Sequence, residues 1–199
     1  MNFFGGASRF FAYQDNDPRM VLNDGLLFGV RGTWNASRWI AAEGAISYGQ
    51  NNPRLEPTPG GGNNPVRFRS HTGIASIGPV FYLTKPESKW RPFIKAGPAM
   101  YWFNPTQGSE NMGTYPPNSF WAAQGLGSVT EFGAQVGFGV KGRLSEHFGV
   151  RADIEGNVFK QPHFGLPTYS VGPGAVSIPK GGIGTLYAVT AGVYRWRFR

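Results

Sequence analysis

The chain has 199 residues, with 30 glycines, 16 prolines, 15% aromatics and no cysteine, a composition of strands and turns rather than of helices. No cysteine means no disulfide framework, no thiolate nucleophile and no cysteine metal site. No apolar run reaches transmembrane-helix length and mean hydropathy is −0.29, which leaves open a membrane β-barrel, since barrels cross in alternating segments of about 10 residues. A net charge of +8 calls for anionic partners unless the charges are turned inward.

Eight segments alternate with the period of two that marks a β-strand. In Asn2–Ala12, Phe4 and Phe10 stand on the parity opposite Arg9. In Gly25–Trp34, Leu26, Phe28, Val30 and Trp34 oppose Arg31 and Thr33. Trp39–Tyr48 sets Ile40, Ala42, Ile46 and Tyr48 against Glu43 and Ser47. Phe68–Leu83 is less regular, with Phe68, Ile74 and Tyr82 opposing Arg69 and His71. In Trp90–Phe103, Trp90, Ile94, Met100 and Trp102 oppose Arg91 and Lys95. The clearest alternation runs through Phe132–Leu144 and Phe148–Phe159. Even positions carry Phe132, Ala134, Val136, Phe138, Leu144, Phe148, Ile154 and Val158, and odd positions carry Gln135, Lys141, Arg143, Arg151, Asp153, Glu155 and Asn157. Only Ser145-Glu146-His147 separates these two segments, which predicts a hairpin. Finally, Thr185–Phe198 sets Leu186, Tyr194, Trp196 and Phe198 against Arg195 and Arg197.

The connections follow a rule. Asn35–Ser37, Lys85–Lys89 and Ser145–His147 are tight, whereas Tyr13–Asp24, Gly49–Arg67, Asn104–Glu131 and Lys160–Gly184 are long and rich in Gly, Pro and Asn. Long structureless loops are unusual in a compact soluble domain, yet here they alternate strictly with tight turns. The predicted fold is all-β, a single domain over 1–199 forming an eight-stranded antiparallel up-and-down transmembrane β-barrel, with its long loops at one end and both termini at the other. Met1-Asn2-Phe3-Phe4 lacks a basic n-region and an apolar h-region, so no signal peptide is expected and an exported chain would be a mature form.

Parity alone does not say which face is inside. A lipocalin-like carrier puts the apolar face inward, and a membrane barrel puts it outward because hydrocarbon does not solvate charge. Three features favour the membrane. Large aromatics of the apolar parity gather at strand ends: Trp34, Tyr82, Trp90, Phe148, Tyr194, Trp196 and Phe198 near the tight turns, and Tyr48, Trp102 and Phe132 near the long loops. These form two girdles of the kind amphipathic rings make at membrane interfaces. The charged parity is rich in glycine (Gly29, Gly97, Gly133, Gly137, Gly139, Gly149), as a narrow eight-stranded interior requires. The loop asymmetry is that of a chain inserted from one side.

Phrases such as Arg91-Pro92-Phe93-Ile94-Lys95-Ala96-Gly97, Phe148–Gly156 and Ala188–Phe198 resemble those of the outer-membrane β-barrel proteins of Gram-negative bacteria, of the type of the outer membrane protein A barrel domain. The resemblance spans nearly the whole chain. It implies residence in the bacterial outer membrane, contact with its lipids and lipopolysaccharide, and delivery by the barrel insertion machinery. The family's closing signal is an aromatic alternating strand with a terminal Phe, matched by Tyr194, Trp196 and Phe198, although Arg199 follows. The periplasmic peptidoglycan-binding domain that often follows such barrels is not in this sequence.

Several motifs allow sharper chemistry. Asp153 and Glu155 lie two apart, so their carboxylates share a face about 7 Å apart by strand rise, a spacing open to a two-carboxylate hydrolase. The stronger reading joins them to Arg31, Glu43, Arg91, Lys95, Lys141, Arg143, Arg151 and Arg195 in an ion-pair network filling the lumen, because buried charge must be paired. Gly137-Phe138-Gly139-Val140-Lys141-Gly142 matches G-x-G-x-x-G, but no helix follows to receive a phosphate. His71, His147 and His163 lack companions at metal-ligand spacing. No catalytic set, cofactor site or metal site is predicted. Nucleic acid is not expected as a partner, because basic and aromatic side chains point to opposite faces, away from the joint surface stacking requires. Arg54, Arg67 and Arg69, at the loop end, are candidates for lipopolysaccharide phosphates. Tyr115, Phe120 and Trp121 are loop aromatics that pack on the barrel mouth or anchor a partner. The functional expectation is a structural or surface-interaction barrel with an occluded lumen. A small ion-conducting channel is one alternative, and a soluble carrier of apolar ligands the other.

Overall fold

The computed structural model describes residues 2–13, 20–22, 25–55, 66–67, 69–106, 126–165 and 182–195. Eight long strands close into an antiparallel barrel: β1 (Asn2–Tyr13), β3 (Gly25–Asn35), β4 (Ile40–Asn51), β7 (Arg69–Tyr82), β8 (Trp90–Thr106), β9 (Val129–Arg143), β10 (Phe148–Lys160) and β11 (Ile183–Arg195). Each pairs with its neighbour in the chain, and β1 closes on β11 from Asn2↔Tyr194 to Tyr13↔Ile183. Beyond the barrel, β2 (Met20–Leu22), β5 (Pro53–Leu55) and β6 (Val66–Arg67) form a small three-stranded sheet. The predicted loops at that end are therefore partly ordered into strands, a pairing between residues far apart in sequence that local pattern does not reveal.

The tight turns have a local cause. Ser37 Oγ accepts the backbone N–H groups of Trp39 and Ile40 at 3.1 and 3.0 Å, and Ser145 Oγ accepts those of His147 and Phe148 at 3.3 and 3.1 Å. In both, a serine three residues before the next strand's first N–H satisfies the turn without a ladder partner. Between β7 and β8 the ladder is interrupted from Ser76↔Ala99 to Val80↔Lys95, where Pro79 and Pro98 have no N–H to donate.

Facing follows register, because directly paired antiparallel residues share a face. On β10, Arg151, Asp153, Glu155 and Asn157 point inward and are buried, while Phe148, Ile154 and Val158 are exposed outside. The pairs Gly149↔Tyr194, Asp153↔Thr190 and Asn157↔Leu186 then turn the even residues of β11 inward. This corrects the sequence expectation for that strand: Tyr194 and Leu186 are interior, and Tyr187, Val189, Val193 and Arg195 face out. The same correction applies to β1, where Phe4 is interior and Phe3 outside, and to β7, where Ile74 and Tyr82 are interior while Ile77 and Phe81 face out. In all three strands a prominent aromatic outweighed a plainer alternation.

Interior glycines create the space these rings occupy. A Cβ on Gly29 would lie 2.4 Å from the Phe4 ring, and one on Gly149 would lie 2.4 Å from the Tyr194 ring. At Gly137 the neighbour is the Lys95 side chain, 3.0 Å from such a Cβ. The glycines therefore accommodate aromatics as well as the long charged side chains.

Candidate functional site

The site is the barrel interior, built from cross-strand rows. Arg91↔Lys141↔Arg151 form one row on β8, β9 and β10, three cations side by side. Two residues further up lies Phe93↔Gly139↔Asp153, and beyond it Lys95↔Gly137↔Glu155. Arg31 from β3 and Glu43 from β4 reach these rows from the opposite wall. Like charges abreast repel, so the cations of the first row turn along the axis in different directions.

At the centre, three cations meet three carboxylates. Arg31 Nη1 donates to Asp153 Oδ2 at 2.6 Å, and its Nη2 donates to Glu155 Oε1 at 3.1 Å. Arg151 grips Glu43 with both terminal nitrogens, at 2.5 and 2.9 Å, and donates Nε to Asp153 Oδ1 at 2.8 Å. Lys95 Nζ lies 2.5 Å from Glu155, 3.6 Å from Glu43 and 3.8 Å from Asp153. All six side chains are buried. Thr33 Oγ1 donates to Glu43 at 2.8 Å, and Gln135 Nε2 to Glu155 at 3.1 Å, so the carboxylates are held by hydrogen bonds as well as by charge.

Toward the long loops the charge gives way to amides and rings. Gln135 Nε2 and Tyr101 OH both donate to Asn157 Oδ1, at 3.1 and 2.9 Å. Above them Tyr101 packs on Phe159 and Phe103 on both Phe159 and Phe164, with ring centroids 4.4, 5.6 and 6.1 Å apart. Phe164 belongs to the segment after β10, is fully buried and adopts φ of 51°. Its carbonyl accepts the N–H of Gly127 at 2.9 Å, tying two loops together over the barrel end. The sequence signal for Phe93, Tyr101, Phe103 and Phe159 was their parity, shared with Lys95 and Asp153. Phe164 had none, since it lies in a loop.

Toward the tight turns, Arg91 Nε donates to the carbonyl of Thr84 at 3.4 Å and its Nη2 to that of Arg38, with its guanidinium 3.5 Å above the Tyr82 ring. Lys141 Nζ donates to Tyr82 OH at 2.7 Å. Tyr194 OH donates to the Gly142 carbonyl at 3.2 Å.

No family model matches the chain, and no curated protein does. Among solved structures, it is similar to the N-terminal β-barrel domain of Pseudomonas aeruginosa OprF, at 15% identity and a TM-score of 0.44 over 97% of each chain. Yersinia pestis Ail, the attachment invasion locus protein, solved with the heparin analogue sucrose octasulfate, matches at 12% identity and a TM-score of 0.46, again over 97% of each. Neisserial surface protein A matches at 12% identity and a TM-score of 0.48, over 96% of this chain and 95% of that one.

Of the residues expected in the lumen network, Arg31, Glu43, Lys95, Arg151, Asp153 and Glu155 lie in the central cluster, and Arg91 and Lys141 lie inside below it. Arg143 is half-buried at the end of β9. Arg195 is not interior: it pairs with Phe148 and is exposed. Of the expected interface aromatics, Trp34, Tyr48, Trp90, Phe132 and Phe148 are exposed on the outer face. Trp102 is half-buried there, its ring lying over Gly73. Tyr82 and Tyr194 are interior, as corrected above, and Trp196 and Phe198 lie outside the described residues. So do Tyr115, Phe120, Trp121 and the side chains of Arg54 and Arg67, while Arg69 is exposed at the start of β7. His71 stacks on Tyr48 and bonds its hydroxyl, and no group of three metal-ligating side chains exists among the described residues.

Proposed function

We propose that this barrel is an integral protein of the bacterial outer membrane with a structural or surface-interaction role, its lumen occluded by the central ion pairs and the ring stack above them. The observation that carries the reading is the inversion of the barrel's faces. Phe28, Ile46, Ile77, Phe138, Ile154 and Val189 are exposed on the outside, while Arg31, Glu43, Lys95, Arg151, Asp153 and Glu155 are buried inside. Water rewards the reverse arrangement, and hydrocarbon rewards this one. The shortest barrel strand, β3, has 11 residues, the length a strand tilted by about 45° needs to cross a bilayer. On this reading the long loops face outside, the tight turns face the periplasm, and the partners are membrane lipids, lipopolysaccharide and the insertion machinery. A soluble carrier of apolar ligands is disfavoured by the same inversion, since the interior offers charge where such a ligand needs hydrocarbon.

The test is electrophoretic mobility after refolding into detergent micelles, with and without boiling. A heat-dependent shift supports the membrane barrel. Full solubility in plain buffer with no shift overturns it. A second reading, a narrow gated channel through the same lumen, is favoured by one observation: Lys95 lies within 3.8 Å of all three central carboxylates, so exchanging partners takes little motion. Single-channel recording in planar bilayers separates the two, since an occluded lumen gives no stable conductance.

A further inference from the structure

Among the described residues five buried cations, Arg31, Arg91, Lys95, Lys141 and Arg151, stand against three buried carboxylates, Glu43, Asp153 and Glu155, a surplus of two positive charges. The surplus has an address. Arg31, Lys95 and Arg151 are matched by the three carboxylates, so it falls on Arg91 and Lys141, neither of which has a carboxylate within ion-pair distance among the described residues. Their partners are two carbonyls, the Tyr82 hydroxyl and aromatic rings, which solvate a cation without neutralising it. Buried charge left uncompensated is costly.

Both residues line a cavity of about 720 Å³ at the tight-turn end of the barrel, together with Arg31, Tyr82, Asn2 and the rim residue Arg195. No Asp or Glu contributes to its described lining. Glu87 and Glu146 sit in the tight turns outside that lining, with Glu87 within electrostatic reach of Arg91. Lys141 uses one ammonium donor on Tyr82, and Arg91 uses Nε and Nη2 on carbonyls, leaving donors of both available to an oxyanion. The cavity wall continues over the rim to Phe3, Phe148 and Val193, which are exposed and apolar.

We propose that this basic vestibule is a binding site for a phosphate-class anion, with Lys141 and Arg91 as the inner donors and Arg195 as the rim donor. Two sources share that chemistry, a phosphate free in solution and the headgroup of a phospholipid whose chain lies along the apolar rim. The site stands whether or not the lumen conducts.

The test is ³¹P NMR of the full chain refolded in non-ionic detergent micelles, at constant ionic strength held with chloride. One titration uses inorganic phosphate, the other phosphatidylglycerol doped into the micelles. Saturable binding is expected, weakened about tenfold or more by Lys141→Gln, the scale of losing a hydrogen bond to a charged group, and reduced by Arg195→Gln. Lys160→Gln, exposed at the loop end of β10, leaves it unchanged. Saturation by inorganic phosphate assigns a soluble anion, and saturation by the lipid alone assigns a headgroup. If neither probe saturates, or if both vestibule variants bind like the parent, the proposal is overturned. Should Lys141→Gln fail to refold, Arg195→Gln carries the test, since its side chain lies outside the packed interior.

Discussion

Asp153 is the sharpest place to test the interior. Its Oδ2 accepts Arg31 at 2.6 Å, its Oδ1 accepts Arg151 at 2.8 Å, and Lys95 lies 3.8 Å away. The side chains of Asp153, Arg31 and Arg151 are each no more than 1% exposed, which decides the energetic regime. An exposed pair is worth about 0–1 kcal/mol, but removing one partner of a buried pair costs about 3–5 kcal/mol because it strands the other charge. Asp153→Ala removes one carboxylate of three, so the interior surplus rises from two positive charges to three. Unfolding in urea from lipid vesicles, followed by tryptophan fluorescence, should show a loss of about 3–5 kcal/mol. Arg31→Met alone leaves Asp153 with Arg151 and should cost less. The double variant should be more stable than the sum of the two losses by about 1 kcal/mol or more, the range of coupling between contacting residues. A loss under about 0.5 kcal/mol for Asp153→Ala, the size of an ordinary surface substitution, would refute the buried-pair reasoning; strict additivity would refute the Arg31 contact.

Three further outcomes follow from the geometry. Val189→Arg, at the middle of β11 on the outer face, should cost about 2–4 kcal/mol in vesicles if that face meets hydrocarbon; no loss counts against the membrane reading. Phe164→Ala should unlock the loop over the barrel end, read as faster hydrogen exchange at the Gly127 amide that bonds the Phe164 carbonyl, and unchanged exchange would show the ring is not what holds that loop. Gly149→Ala forces a Cβ to within 2.4 Å of the Tyr194 ring, whereas a Cβ on Gly32 meets nothing within 4 Å. The first should destabilise by about 1–3 kcal/mol and the second by no more than about 0.5 kcal/mol, both measured in the same urea titrations.

Much was legible in the sequence, because a strand writes its faces at a period of two. The eight barrel strands, their antiparallel order and the alternation of tight turns with long loops all follow from local pattern. So do the inward charges of β3, β4, β8, β9 and β10, where Arg31, Glu43, Lys95, Lys141, Arg151, Asp153 and Glu155 each stand against an apolar opposite parity. Which cation meets which carboxylate is a different matter. Arg31 and Asp153 are 122 positions apart, and only closure of the barrel brings their walls within hydrogen-bond reach. The facing of β1, β7 and β11 also waited on tertiary structure. β1 and β11 meet no barrel neighbour through a tight turn, and the β7–β8 ladder is interrupted at Pro79 and Pro98, so no hairpin register carries a neighbour's parity onto these strands. Register then outranks local apolarity: Tyr194 lies opposite Gly149 on the face that carries Asp153, and one residue's shift would exchange it with Arg195. The vestibule has the same origin. Arg91 and Lys141 were visible as charges, but that no carboxylate among the described residues pairs with them is a property of the closed barrel, where partners are assigned by position around a ring and not by distance along the chain.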